Sequence, residues 1–168
     1  MKGYIIQQVD KIVKEYHTRD PINLCSTLDN MNLYFHSLGG LLKGYYIYYQ
    51  NQHNIVIEKS LTDIQRKIVI GHELGHAFLH TGYSRAFQET MLDNVYNKLE
   101  LEANIFCAEF LISDEEIISL IKEYKTLSSI TGELSLPDWL IDCKIQALKN
   151  KGYNLPYLYI VNKDSIKM

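Results

Sequence analysis

Residues 63–80 read Asp-Ile-Gln-Arg-Lys-Ile-Val-Ile-Gly-His-Glu-Leu-Gly-His-Ala-Phe-Leu-His, and no segment restricts the fold more. Wound as a helix from an N-cap at Thr62 or Asp63, it is apolar on nearly every side. Ile64, Ile68, Val69, Ile70, Leu74, Ala77, Phe78 and Leu79 leave no broad wet face. Such a helix has to lie at the centre of whatever surrounds it. Gly71 and Gly75 each cost about 1 kcal/mol relative to alanine inside a helix. At about 100° per residue they share one side, beside the histidine face, so another backbone is expected to come close there.

The surroundings have to come from a single domain, since 168 residues are too few for two ordinary ones. With 46% apolar and 22% charged residues, the chain can bury a core and reads as globular. Acidic groups outnumber basic ones, 20 to 17, and the only arginines are Arg19, Arg66 and Arg85. That scarcity of guanidinium forks disfavours direct nucleic-acid binding. Cys25, Cys107 and Cys143 are odd in number and widely spaced, with no secretory segment ahead of them. A reducing cytoplasm is therefore expected, without disulfides. No apolar run approaches the ~18 residues of a membrane span, so a soluble protein is expected.

Ile5, Ile6, Val9, Ile12, Val13 and Tyr16 recur at helical steps and predict an amphipathic helix over 4–16. A short helix over 21–29 and a short strand over 31–35 follow. The aromatic and β-branched runs 44–49 and 53–58 flank a turn-like Gln50-Asn51-Gln52 and predict a hairpin. Its tyrosines at both faces are read as core and edge packing. Beyond the central helix, the pattern predicts helices over 93–112, over 114–124 with Ser113 and Glu116 as a capping box, and over 137–150 with Pro137 in first position. The tail 156–161 reads as extended. The fold class is α+β in one domain over 1–168: an N-terminal helix, a short antiparallel sheet with a hairpin, the central helix and C-terminal helices. Segment 126–150 loosely resembles a degenerate helix-turn-helix. Its Asp138 and Asp142 beside Lys144 and Lys149, without arginine, argue against DNA contact.

His72-Glu73-Leu74-Gly75-His76 is an HExxH arrangement. Residues four apart share a helical face, so both imidazoles can converge on one metal ion, while Glu73 lies about 100° round and can reach a water beside it. Zinc acidifies such a water and polarises a carbonyl, and a neighbouring carboxylate takes the proton. A catalytic zinc site usually has a third protein ligand. The metzincin extension fails, because Leu79 and Gly82 stand where its glycine and third histidine would be. His80 lies ~12 Å along the axis from His72, too far for the same ion. It is expected to be exposed, or to support the site from near the helix end.

Helical phase singles out a carboxylate from the next helix. With Glu100 at the origin of the wheel, Asn104 falls at about 40°, Cys107 at about −20° and Leu111 at about 20°. Glu102 falls at about 200° and Glu109 at about 180°. Glu102 and Glu109 are thus expected on the polar face with Lys98. Glu100 sits in the apolar stripe, where an ionised carboxylate needs a cation. It is the best third ligand, the alternative being a buried salt-bridge or capping carboxylate. Asn104, one turn on, can support a ligand from behind. Cys107 reads as a small apolar residue outside the metal shell. Two histidines and a carboxylate suit Zn2+, with Mn2+ also compatible.

In this order, segments 68–80 and 100–112 resemble the ImmA/IrrE family of metallopeptidases, a gluzincin-like group of small bacterial, phage and mobile-element proteins. The likeness extends over about 35–115 and includes the hairpin with Asn51. It implies a zincin-like domain and a zinc-dependent endopeptidase with His72, His76 and Glu100 as ligands and Glu73 as the catalytic carboxylate. The implied partner is a helix-turn-helix transcriptional repressor, cleaved to derepress phage, mobile-element or stress genes. Ser113, where the family commonly has proline, and Cys107, in place of a usual alanine, are departures outside the proposed shell. A donor for the oxyanion is also expected. Tyr83, His80 and Arg85 are the nearest candidates, and the strand over 55–58 is expected to offer its edge to an extended peptide. The competing reading is a non-catalytic or DNA-binding regulator with a structural metal site. Glu73 speaks against it, since a closed structural site needs no base.

Overall fold

A computed structural model describes residues 2–40, 42–81, 93–124 and 126–155. The first helix, α1 (Lys2–Tyr16), buries Ile5, Ile6, Val9 and Ile12, the apolar stripe expected of it. The second, α2 (Pro21–Thr27), begins where the Asp20 carboxylate accepts from the Ile22 and Asn23 N–H groups. Three strands follow: β1 (Met31–His36), β2 (Gly44–Tyr49) and β3 (Gln52–Glu58). Gln50 and Asn51, both at positive φ, make the two-residue turn whose twist suits an antiparallel hairpin.

The sheet is mixed rather than wholly antiparallel. Its order is β1-β3-β2, with β1 parallel to β3. The chain leaves β1 through Gly39 and Gly40, both in the left-handed region, and β2 returns one strand position away, so that β3 fills the space between. The Glu58 carboxylate ties this crossing down by accepting from Leu38 N–H at 2.6 Å and Ser60 N–H at 3.0 Å. One consequence corrects the expected substrate edge. As the central strand, β3 has both edges paired, so residues 55–58 cannot receive a peptide. Among the described residues, the free edges belong to β1 and β2.

The central helix, α3 (Asp63–Leu79), starts with a reciprocal capping box between Thr62 and Gln65. It crosses α4 (Asp93–Leu111) at the glycines. A Cβ on Gly75 would lie 2.8 Å from Ala103 Cα, and one on Gly71 would lie 3.1 Å from Cys107 Sγ. Any larger residue at 75 would push the two backbones apart. The remaining helices are α5 (Asp114–Glu123), capped by Ser113, α6 (Leu127–Leu134) and α7 (Asp138–Asn150), whose cap rather than first residue is Pro137. One apolar cluster joins α1, the sheet, α3 and α4 through Ile55, Ile57, Leu74 and Phe106; a second joins α4 to α5, α6 and α7 through Ile112, Ile117, Ile130 and Ile141.

Glu109 is not on a wet face. It lies opposite Glu100 on the helix, as the phase requires, but α7 covers that side and leaves it 1% exposed. Lys144 of α7 is fully buried against it. The helix that carries Glu109 holds no sign of this cover, because the covering lysine is 35 residues away. Segment 156–161 lies outside the described residues. No described helix is long and apolar enough to cross a membrane.

Candidate metal centre

The contact of Gly75 with Ala103 sets the distance between α3 and α4, and that distance brings three donors together. His72 and His76, one turn apart, turn their Nε2 atoms to the same point, 3.1 Å from one another. Glu100 Oε2 lies 3.3 Å from His72 Nε2, and Oε1 lies 3.3 Å from His76 Nε2. Ligands on a tetrahedral zinc at ~2.0–2.1 Å stand ~3.3 Å from each other, so these separations match the edges of a zinc site. Among the described residues, His72, His76 and Glu100 are the one such group that could hold a metal ion.

Electrostatics agree with the geometry. Burial works against an ionised Glu100, yet the two imidazoles hold its carboxyl far below the usual range. For His72, burial alone would lower the pKa; its bond to Glu100 and the charges of Glu73 and Glu100 offset that and hold it above the ordinary value. Negative charge on Glu100 and positive charge on His72 thus favour each other at the point where they meet.

The outer nitrogens are also engaged. Asn104 Oδ1 lies 2.9 Å from His72 Nδ1 and can only accept there, so Nδ1–H donates and, in the neutral ring, the lone pair stays on Nε2, in keeping with the phase of Asn104 on its helix. His80 is buried rather than exposed. Its Nδ1 lies 3.3 Å from His76 Nδ1, and its Nε2 lies 2.9 Å from Glu102 Oε2. Burial outweighs the pull of Glu102 and lowers the His80 pKa, favouring the neutral ring. With both nitrogens occupied behind His76, His80 is not brought to the cleft as an oxyanion donor. Tyr83 and Arg85 lie outside the described residues.

Sequence reasoning misses Glu102 because it divides the helical wheel of α4 into a wet face and a dry one. Ala103, the contact to α3, sits at about 300° on that wheel, between Glu102 at about 200° and Glu100 at the origin. The two carboxylates therefore flank the crossing and both reach the histidine stripe. The signal lies in His80: a histidine one turn beyond a ligand on an apolar helix needs a buried partner.

Glu73 is buried and, with His72 and Asn104, lines a cleft of about 690 Å³. Its other walls come from Lys43 and Gly44 at the start of β2, from Ile64, Ile68 and Val69 of α3, and from Leu136, Pro137 and Trp139 at the start of α7. Cys107 donates through Sγ to Ile68 O, and burial pushes its thiol pKa far up, so it stays outside the donor set.

The chain matches the peptidase family described as IrrE N-terminal-like domain over residues 30–134, from just before β1 to the end of α6. It is 32% identical over 143 residues to a protein of Bacillus phage phi105 named "Uncharacterized immunity region protein 2", an alignment covering 84% of this chain and 90% of that one. It is 24% identical over 154 residues to "Metallopeptidase ImmA" of Bacillus subtilis (strain 168), covering 86% and 85% respectively. The match takes in all three described strands and both helices that carry the donors, and the chain belongs to the IrrE/ImmA family of metallopeptidases.

Proposed function

We propose that this chain is a zinc-dependent endopeptidase of the cytoplasm, acting as one unit over 1–168, that cleaves a helix-turn-helix transcriptional repressor. The observation that carries the chemistry is the convergence of two Nε2 atoms and one carboxylate at zinc-like spacing, with a buried carboxylate, Glu73, in the adjoining cleft. His72, His76 and Glu100 would hold the ion; Mn2+ suits the same donors less well by abundance of nitrogen. The ion supplies Lewis acidity toward a peptide carbonyl and acidifies a water. Glu73 takes a proton from the attacking water and passes it to the departing amine, so that the C–N bond breaks to a carboxylate and a free amine.

The substrate strand is best placed along the outer edge of β2, whose start lines the cleft beside α3. That edge offers unpaired backbone groups to an extended peptide. A repressor as partner is supported by the phage-immunity name of one relative and the ImmA name of the other. The helix-turn-helix-like segment supports no DNA contact, because its Lys144 is committed to buried ion pairs and its Trp139 lines the cleft.

The test is to incubate the purified zinc-loaded chain with the repressor encoded nearest to it and to follow intact masses. Two fragments summing to the repressor plus one water are expected. Glu73→Gln should keep its zinc and lose cleavage by ~10²–10⁴-fold. Cleavage by that variant at the parent rate would remove Glu73 from the mechanism, and an intact repressor beside a cleaved unfolded protein such as casein would overturn the partner.

A further inference from the structure

His72 and His76 present Nε2 to the same point, but their outer nitrogens are held by different chemistry. His72 Nδ1 faces an amide oxygen, which can only accept. His76 Nδ1 faces His80 Nδ1 at 3.3 Å, and an imidazole nitrogen can do either. If His80 donated there, His76 would carry its own proton on Nε2 and have no lone pair for a metal. If His80 accepts, the lone pair of His76 stays on Nε2. The choice is made one group further out, where His80 Nε2 lies 2.9 Å from the Glu102 carboxylate, an acceptor only.

We propose that His80 and Glu102 are positioning residues of the metal centre, forming a directed chain, His76 Nδ1–H to His80 Nδ1 and His80 Nε2–H to Glu102, that sets the tautomer of His76 and aims its Nε2 at the ligand point. This rests on the assignment of His72, His76 and Glu100 as ligands. The fold is built to hold such a chain. His72, His76 and His80 occupy successive turns of one stripe on α3, ending at its cap. The Glu102 side chain is only 12% exposed, and its second oxygen, Oε1, lies 4.0 Å from Lys98 Nζ, so the lysine offsets the charge without competing for Oε2. A hydrogen-bonded acceptor behind a ligand histidine both orients the ring and strengthens it as a donor.

Long-range 1H–15N correlation spectra of the zinc-loaded parent chain read the tautomers directly and need no variant. His76 is expected protonated at Nδ1, and His80 at Nε2 with a bare Nδ1; a proton on His80 Nδ1 overturns the proposal. Zinc affinity, measured by competition with a chromophoric chelator, supplies the second readout. Glu102→Ala and His80→Leu should each weaken zinc binding by roughly 10–100-fold. Because the chain acts in series, the double variant should bind no more weakly than His80→Leu alone, and His80→Gln, whose amide oxygen can accept from His76, should recover part of the loss. Parent-like affinity in both single variants, or losses that multiply in the double variant, overturns the chain. Glu100→Ala run alongside separates the two levels: if it keeps zinc, the ligand assignment falls and the chain with it; if it loses zinc while the other variants do not, only the chain falls.

Discussion

On its opposite sides, α4 carries two carboxylates that the protein treats in opposite ways. Glu109, 1% exposed, meets Lys144 Nζ at 2.8 Å and Lys151 Nζ at 2.7 Å, and the same two lysines reach Asp114 at 2.6 and 2.8 Å. Two cations and two anions close on themselves, so nothing is left for a ligand. Among the described residues, no lysine or arginine pairs with Glu100, whose partners are the imidazole nitrogens of His72 and His76. A withdrawn carboxylate facing ammonium groups is structural; one facing imidazole nitrogens is placed where a metal ion could be shared. The distinction depends on the partner and not on burial, because the better buried of the two is the structural one.

The largest effects that could break this comparison are on zinc. Glu100→Ala should lower zinc affinity by more than the ~10–100-fold expected for a supporting residue, while leaving the melting of the metal-free chain nearly unchanged. Lys144→Ala should do the reverse. It leaves Glu109 and Asp114 with one cation between them in a buried setting, at a cost of about 3 kcal/mol or more in denaturant unfolding, with zinc affinity retained by the folded fraction. A Glu100 variant that unfolds, or a Lys144 variant that loses zinc while folded, would mean the two sides of α4 are one coupled system.

Glu100 and Asn104 are legible in the sequence for the same reason that Glu109 is misleading there. Helical phase is a local property, and it places all three at the correct angles. What covers an angle is decided by elements far along the chain. The apolar stripe of α4 can be assigned to α3 because Gly71 and Gly75 announce a close neighbour, and the contacts at Ala103 and Cys107 are that neighbour. In 137–150 the phase does mark Lys144, which shares a stripe with Leu140, Ile141, Ala147 and Leu148 while Asp142 and Lys149 lie at about 160° and 140° from it. Reading that segment by its charges alone hides the withdrawn lysine, and nothing in it names Glu109 as the partner. Strand order is hidden for a related reason. Aromatic and β-branched content identifies β2 and β3, and β1 only weakly, but pairing depends on how wide the crossing at 37–43 is, and composition carries no information on that.

Acid separates the two carboxylate sites more gently. Burial opposes the charge of Asp114, but its bonds to Lys144 and Lys151 prevail and hold its pKa below the usual value. A depressed folded-state pKa stabilises the fold above the unfolded pKa of about 3.9, and that contribution is lost as pH falls through the folded value. Stability of the metal-free chain should therefore be insensitive to Asp114 between pH 7 and about 5 and decline below about 4. In Asp114→Asn, the decline should be shallower from a lower starting point. An unchanged acid limb in that variant would show that the lysines are satisfied by Glu109 alone.

The smallest expected effect falls on the far side of the same helix that buries Lys144. Trp139 is 40% exposed, stands one residue into α7 and lines the cleft with His72 and Glu73. Its exposure means that the fold gains little from it, and Trp139→Ala should change unfolding free energy by less than about 0.5 kcal/mol. A peptide in the cleft would cover the indole, so its removal should cost part of a large aromatic contact, about 1 kcal/mol, or roughly a five-fold rise in KM with kcat retained. Steady-state cleavage of a peptide spanning the scissile bond measures both constants. A fall in kcat without change in KM would place Trp139 against the reacting atoms instead of the bound side chains, and no change in either would remove α7 from the cleft wall. With Lys144→Ala altering stability alone and Trp139→Ala altering KM alone, α7 would divide its two faces between fold and substrate as α4 divides its own between fold and metal.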